Sequence, residues 1–190
     1  MIMDLHIGSL LLFLHALSLQ HPVSGIRETV YISTKSEVRF YSDAPLEDIE
    51  ATSTALLSAM TMETGQLLFV MPMNSFEFEK ALMQKHYNEQ YLETDKYPEA
   101  RFEGNLKESP VELNGTKVIP YEGLLTMHGV RRNIRGMAEL TREGNIIYGK
   151  SSIIVRLADY DIKIPRMVIR NIAEVVEVTI KVEFHLKNIP

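Results

Sequence analysis

The sequence predicts a mainly β, antiparallel domain that carries one amphipathic helix. Three observations lead there. The segment Val176–Leu186 places Val176, Val178, Ile180, Val182, Phe184 and Leu186 in strict alternation with Glu177, Thr179, Lys181, Glu183 and His185. That period of two is what a strand with one dry and one wet face requires. Strand-like runs recur between turn signals at roughly ten-residue spacing, the mark of a sandwich or barrel. Only one segment, Asn74–Thr94, carries helical spacing.

Taken in order, Val38 and Phe40 alternate with Glu37 and Arg39. Leu67–Met73 (LLFVMPM) is apolar on both faces, as in a strand covered on both sides, with Pro72 marking its end. The helix is expected to start at Asn74, whose side chain would cap it with Glu77 as the capping partner. Phe76, Met83, Tyr87 and Tyr91 then share one side, Phe78 and Leu82 adjoin it, and Lys85 and Glu89 face solvent. Tyr97-Pro98 ends the segment, because proline biases its predecessor away from helix. One such helix among many strands suggests a lid or plug.

Beyond it, Ala100, Phe102 and Leu106 alternate with Arg101, Glu103 and Asn105. Tyr121–His128 and Ile146–Leu157 read as further strands, with turn signals at Asn114-Gly115, His128-Gly129 and Glu143-Gly144-Asn145. No linker or internal repeat interrupts the chain, so one domain is expected.

The first residues stand apart. Ile7–Leu19 (IGSLLLFLHALSL) is too short for a comfortable membrane span and has the length of an export-signal core. Small residues at Ala16, Ser18, Ser24 and Gly25 allow cleavage after Ser18 or Gly25. The preceding MIMDLH holds Asp4 and no basic residue, unlike an ordinary signal; a buried N-terminal helix is the competing reading. Residues 1–25 are expected to be a signal peptide and 26–190 the domain. The protein is therefore expected in the periplasm or secreted, and not as an integral membrane protein.

Composition narrows the function. The absence of cysteine removes disulfides, cysteine zinc sites and thiol nucleophiles. A net charge of −5 argues against nucleic acid, which is held through basic phosphate contacts. No Gly-rich phosphate loop or Gly-x-Ser-x-Gly elbow frames a catalytic group. His86, His128 and His185 lack metal-ligand spacing. Asp159 and Asp161, beside Lys163 in an expected short strand, could do acid–base work but read better as a solvated face. Neither an enzyme nor a cofactor or metal site is expected.

The interior is more telling. Ten methionines and no tryptophan are present, with Met60, Met62, Met71, Met73, Met83, Met127 and Met137 in or beside the expected elements. Methionine adapts to irregular surfaces, whether a ligand or a packed core. Gly123, Gly136, Ala138, Gly149 and Ser151 fall inside strand patterns, and small residues there leave room inside a closed barrel. Cavity and packed core remain equally open on these grounds.

Four stretches carry a resemblance: Phe69–Phe78 (FVMPMNSFEF), Tyr91–Gly104 (YLETDKYPEARFEG), Gly123–Val130 (GLLTMHGV) and Asp159–Val182 with its D-Y-x-I-x-I-P and I-A-x-x-V-x-V steps. Together, and spread from about Val30 to Leu186, they resemble the YceI-like family of lipid- or polyisoprenoid-binding proteins. Where many members have a histidine-serine step before the first long strand, this chain reads Lys35-Ser36-Glu37-Val38-Arg39-Phe40. The resemblance implies a lipocalin-like, eight-stranded antiparallel β-barrel with one inserted amphipathic α-helix, holding an apolar, isoprenoid-type lipid. The expected wall comprises Val38, Phe40, Phe69, Met71, Phe102, Leu106, Leu125, Met127, Val178, Ile180, Val182 and Phe184. Arg131, Arg132 and Arg135 would meet a polar ligand end or form a wet hairpin. The rival reading is a filled barrel that acts through its surface.

Overall fold

The computed structural model describes residues 28–43, 48–164 and 174–187. The expected signal segment lies outside them, as do residues 165–173 of the fourth family-like stretch. The strands are β1 (Val30–Ser42), β2 (Ile49–Ser53), β3 (Leu57–Thr61), β4 (Gln66–Pro72), β5 (Glu77–Phe78), β6 (Glu99–Leu106), β7 (Gly115–Met127), β8 (Val130–Glu143), β9 (Ile146–Arg156) and β10 (Val175–Leu186). The helix α1 spans Ala81–His86.

The sheet runs β10-β9-β8-β7-β6-β4-β3-β1 and closes through β1–β10, all antiparallel, into an eight-stranded barrel. Closure removes the unpaired edges that would recruit other chains. β2 and β5 extend one rim: β2 pairs with the far half of β1, and β5 pairs with β2. The pairing Val38↔Ile180 sets the register of the seam. A shift between Ser33 and Lys35 leaves Thr34 unpaired there, a bulge that helps the sheet curve.

The expected strands are present except the short one at Asp159–Lys163. Leu186, placed on the dry face by alternation, is exposed where its strand ends. The turn at His128-Gly129 joins β7 to β8 with two residues at φ 51° and 75°, the paired left-handed geometry that tight hairpins favour. Gly129 has a second reason to be glycine: a Cβ there would sit 2.8 Å from the Tyr97 ring.

Two local expectations are corrected. The helix does not start at Asn74. Met73–Ser75 forms a single tight turn, and Glu77–Phe78 pairs with β2 as strand. Phe76 and Phe78 are spaced by two, and both rings pack on Phe40. The Ser75 hydroxyl, meanwhile, donates to the Pro72 carbonyl. Extended backbone satisfies both demands. The helix begins after the extended Lys80, without a side-chain cap, and after His86 widens into a π turn over Tyr87–Tyr91. The second correction concerns Asp159–Lys163, which is not a strand. Leu157–Tyr160 is a 3-10 turn closed by Asp161 at φ 56°, a conformation aspartate tolerates better than most residues.

Candidate functional site

Inward-facing side chains divide the barrel interior into two parts. At one end Met60, Ile119, Ile147 and Phe184 are at most 1% exposed and belong to the buried core. At the other end a cavity of about 500 Å³ opens between the sheet and the segment from Lys80 to Leu92. This is within the size range of small-molecule sites.

Its wall explains which expected residues meet. Val38, Phe40, Phe69, Met71, Phe102, Leu125, Met127, Val178 and Ile180 line the cavity. Leu106, Val182 and Phe184 do not; they share the same inward faces but lie further along their strands, in the packed end. Period-two alternation identifies a face and carries no information on height within the barrel.

The small residues behave differently from the expectation. A Cβ at Gly123 would lie 2.7 Å from the Phe102 ring, one at Gly136 would lie 2.4 Å from the Tyr121 hydroxyl, and one at Gly149 would lie 2.9 Å from Val182. Large neighbours already occupy that room. Ser151 is engaged with Tyr121 and with the Met137 carbonyl, so only Ala138 of the five borders the cavity. The methionines divide as well. Met71, Met73, Met83 and Met127 line it, Met60 and Met62 are packed, and Met137 is exposed.

Alternation in strands could not reveal the remaining wall. Phe76 and Phe78 reach the cavity from β5 and the residue before it, and Met83, His86, Tyr87 and Tyr91 from the lid segment Lys80 to Leu92. For four of them the signal was the shared side of the expected helix. Leu82 borders the cavity and is also 64% exposed, so the cavity reaches solvent beside α1. Phe40, Phe76, Phe78 and Tyr87 form an aromatic cluster at this mouth, with Phe78 and Tyr87 centroids 4.9 Å apart.

Polar atoms are sparse. Among the described residues, Ser42, Lys80, His86, Tyr87, Tyr91 and Tyr121 are the lining side chains that carry them. Burial pushes the Tyr87, Tyr91 and Tyr121 phenols up, so each remains a neutral donor in ordinary buffers. Tyr121 bonds Ser151 Oγ at 3.1 Å, whereas the Tyr87 hydroxyl is buried with no partner among the described residues.

Behind the mouth, His128 ties three pieces together. Its Nδ1 lies 2.9 Å from the Tyr160 carbonyl and its Nε2 lies 3.1 Å from Glu93 Oε2. Both partners are acceptors. A neutral imidazole can donate to one of them, and the doubly protonated ring to both. The arginines take no part in the cavity: Arg131, Arg132 and Arg135 are exposed on β8, Arg132 donates to the Asp159 carbonyl, and Arg135 lies 3.5 Å from Glu122. Among the described residues no group of three potential metal ligands is found, and no helix is long and apolar enough to cross a membrane.

Barrel, cavity and lid define a class: a small antiparallel β-barrel with an apolar interior site reached from one end. The YceI-like domain family model matches residues 31–184, and the chain belongs to that family. A search of curated proteins finds no match. Among solved structures, a polyisoprenoid binding domain from Saccharophagus degradans, implicated in plant cell wall breakdown, is similar at TM-score 0.73 and 16% identity, with 85% of this chain and 100% of that one covered. BcnA from Burkholderia cenocepacia is similar at TM-score 0.68 and 12% identity, covering 78% and 95%. The Campylobacter jejuni YCEI protein is similar at TM-score 0.54 and 16% identity, covering 65% and 73%. At these identities the likeness concerns the fold.

Proposed function

We propose that this protein binds an apolar, isoprenoid-type lipid inside its barrel and acts as an exported carrier or scavenger rather than as an enzyme. The observation that carries the reading is the cavity itself, about 500 Å³ with a nearly continuous apolar wall. Such a wall recognises its ligand by removing it from water, and each buried methylene contributes roughly 0.8 kcal/mol. The nine lining residues expected from the sequence are the proposed contacts. Similarity to a polyisoprenoid binding domain favours an isoprenoid over other apolar chains. The export part rests on the apolar run Ile7–Leu19, with the periplasm or the exterior as the proposed location. The filled-barrel alternative has little support from a barrel whose interior is open at one end.

The test is mass spectrometry of an organic extract from protein purified without detergent from its native host. A stoichiometric isoprenoid is expected. A lipid-free extract from folded protein that also takes up no added isoprenoid would reject the reading.

A further inference from the structure

We infer that an aromatic floor limits the chain this cavity takes to about three isoprene units, and that Phe102 is the residue that sets the limit. The inference rests on the isoprenoid reading above and specifies its ligand. At about 30 Å³ for each water-sized group, the cavity of about 500 Å³ holds about seventeen such groups, close to the roughly fifteen carbons of three isoprene units.

The floor is built from Phe69, Phe102 and Tyr121. The Phe102 ring meets Phe69 edge-on at 6.1 Å and Tyr121 edge-on at 5.6 Å. All three border the cavity; Phe184, edge-on to Phe69 at 6.4 Å on the other side, does not. Leu67 and Ala138 complete the floor between these rings, and beyond them lie the buried Met60, Ile119, Ile147 and Phe184. The backbone holds Phe102 in place. Gly104 and Gly123 sit opposite each other in β6 and β7, and a Cβ at Gly104 would fall 2.5 Å from Phe102 Cζ. The ring therefore lies in a recess that the two glycines leave and cannot sink further. A chain entering past α1 ends against it. A longer chain leaves its remainder outside the lid and gains no further burial.

The experiment titrates folded, delipidated protein with geraniol, farnesol, geranylgeraniol and an octaprenol, read by displacement of an apolar fluorescent dye and by native mass spectrometry. Affinity should rise by about fourfold for each added buried methylene and level off at farnesol. In Phe102→Leu the plateau should move to geranylgeraniol, with affinity for that chain raised at least several-fold over the parent. Phe102→Ala should move it further. If the alanine variant does not fold, the leucine variant and the wild-type series still decide. Affinity that climbs steadily to the octaprenol, a plateau elsewhere, or a folded Phe102→Leu with an unmoved plateau overturns the floor and leaves isoprenoid binding intact. Failure of the wild-type protein to bind any of the alcohols overturns both.

Discussion

On β10, Phe184 is 1% exposed, while Val178 and Ile180, on the same strand and the same inward face, are only partly buried. The same contrast runs around the barrel. Met60, Ile119 and Ile147 interlock at one end, and Phe40, Phe69 and Ile153 leave open space at the other. The two ends share strands, register and residue types. What differs is how completely the side chains meet across the axis. The packed end carries the fold and the cavity end is free to serve a ligand. Stability and binding should therefore respond to different residues.

The largest expected effect lies in the packed end. Phe184→Ala removes a ring with almost no exposure and should cost about 3–5 kcal/mol in chemical denaturation, the usual range for such truncations. A cost near zero would show that the packed end does not hold the barrel.

Two turns of alternation away, the response should invert. Ile180→Trp adds volume to a wall that faces empty space, so little overpacking strain is expected. Stability should stay within about 1 kcal/mol of the parent, while affinity for an isoprenoid alcohol falls at least tenfold, or about 1.4 kcal/mol. A folded tryptophan variant with parental affinity would remove Ile180 from the site.

How much of this was legible in the sequence follows from the same geometry. Alternation in Val176–Leu186 and in Ala100–Leu106 places every inward side chain on its face, because a strand has only two faces. It cannot say whether the side chain across the barrel is near enough to touch, so Phe184 and Ile180 read alike. The lid was legible only in part. Met83, Tyr87 and Tyr91 repeat at helical spacing, yet Phe76 and Phe78, spaced by two, lie on extended backbone, Phe78 within β5. The helical period absorbed Phe76 only because it lies a multiple of turns from Met83. The small residues misled for a related reason: sequence shows that Gly123 and Gly136 lack side chains, and only the structure shows Phe102 and Tyr121 lying over them.

The lid offers a third contrast. α1 has six residues and buries none of them, so little holds it besides its neighbours. His128 is a buried polar tie on that side, joining the β7–β8 hairpin to Glu93 and to the Tyr160 carbonyl. His128→Ala should cost about 1–3 kcal/mol, since a buried acceptor loses its donor. It should also raise amide exchange around Glu93 and speed ligand release, with no change in the protection of β10. Equal loosening of β10 would mean that the two ends are one cooperative unit and not separable.

The smallest effect has the opposite sign. Tyr87 is 7% exposed, its hydroxyl has no partner among the described residues, and burial keeps the phenol protonated. It is thus a donor removed from water with nothing to receive its proton. At the cavity floor the comparable phenol, that of Tyr121, is bonded to Ser151. Tyr87→Phe removes an uncompensated group while keeping the ring stacked on Phe40 and packed against Phe78. The empty barrel should gain about 1 kcal/mol, because an orphaned buried polar group costs its desolvation without a compensating bond. Tyr121→Phe, which discards a satisfied bond and orphans Ser151 in part, should lose about as much. Denaturation of the two delipidated variants side by side checks the pair. If Tyr87→Phe loses stability as Tyr121→Phe does, the mouth is as fully satisfied as the floor beneath it, and the division of the barrel into a finished interior and an open mouth fails at that residue.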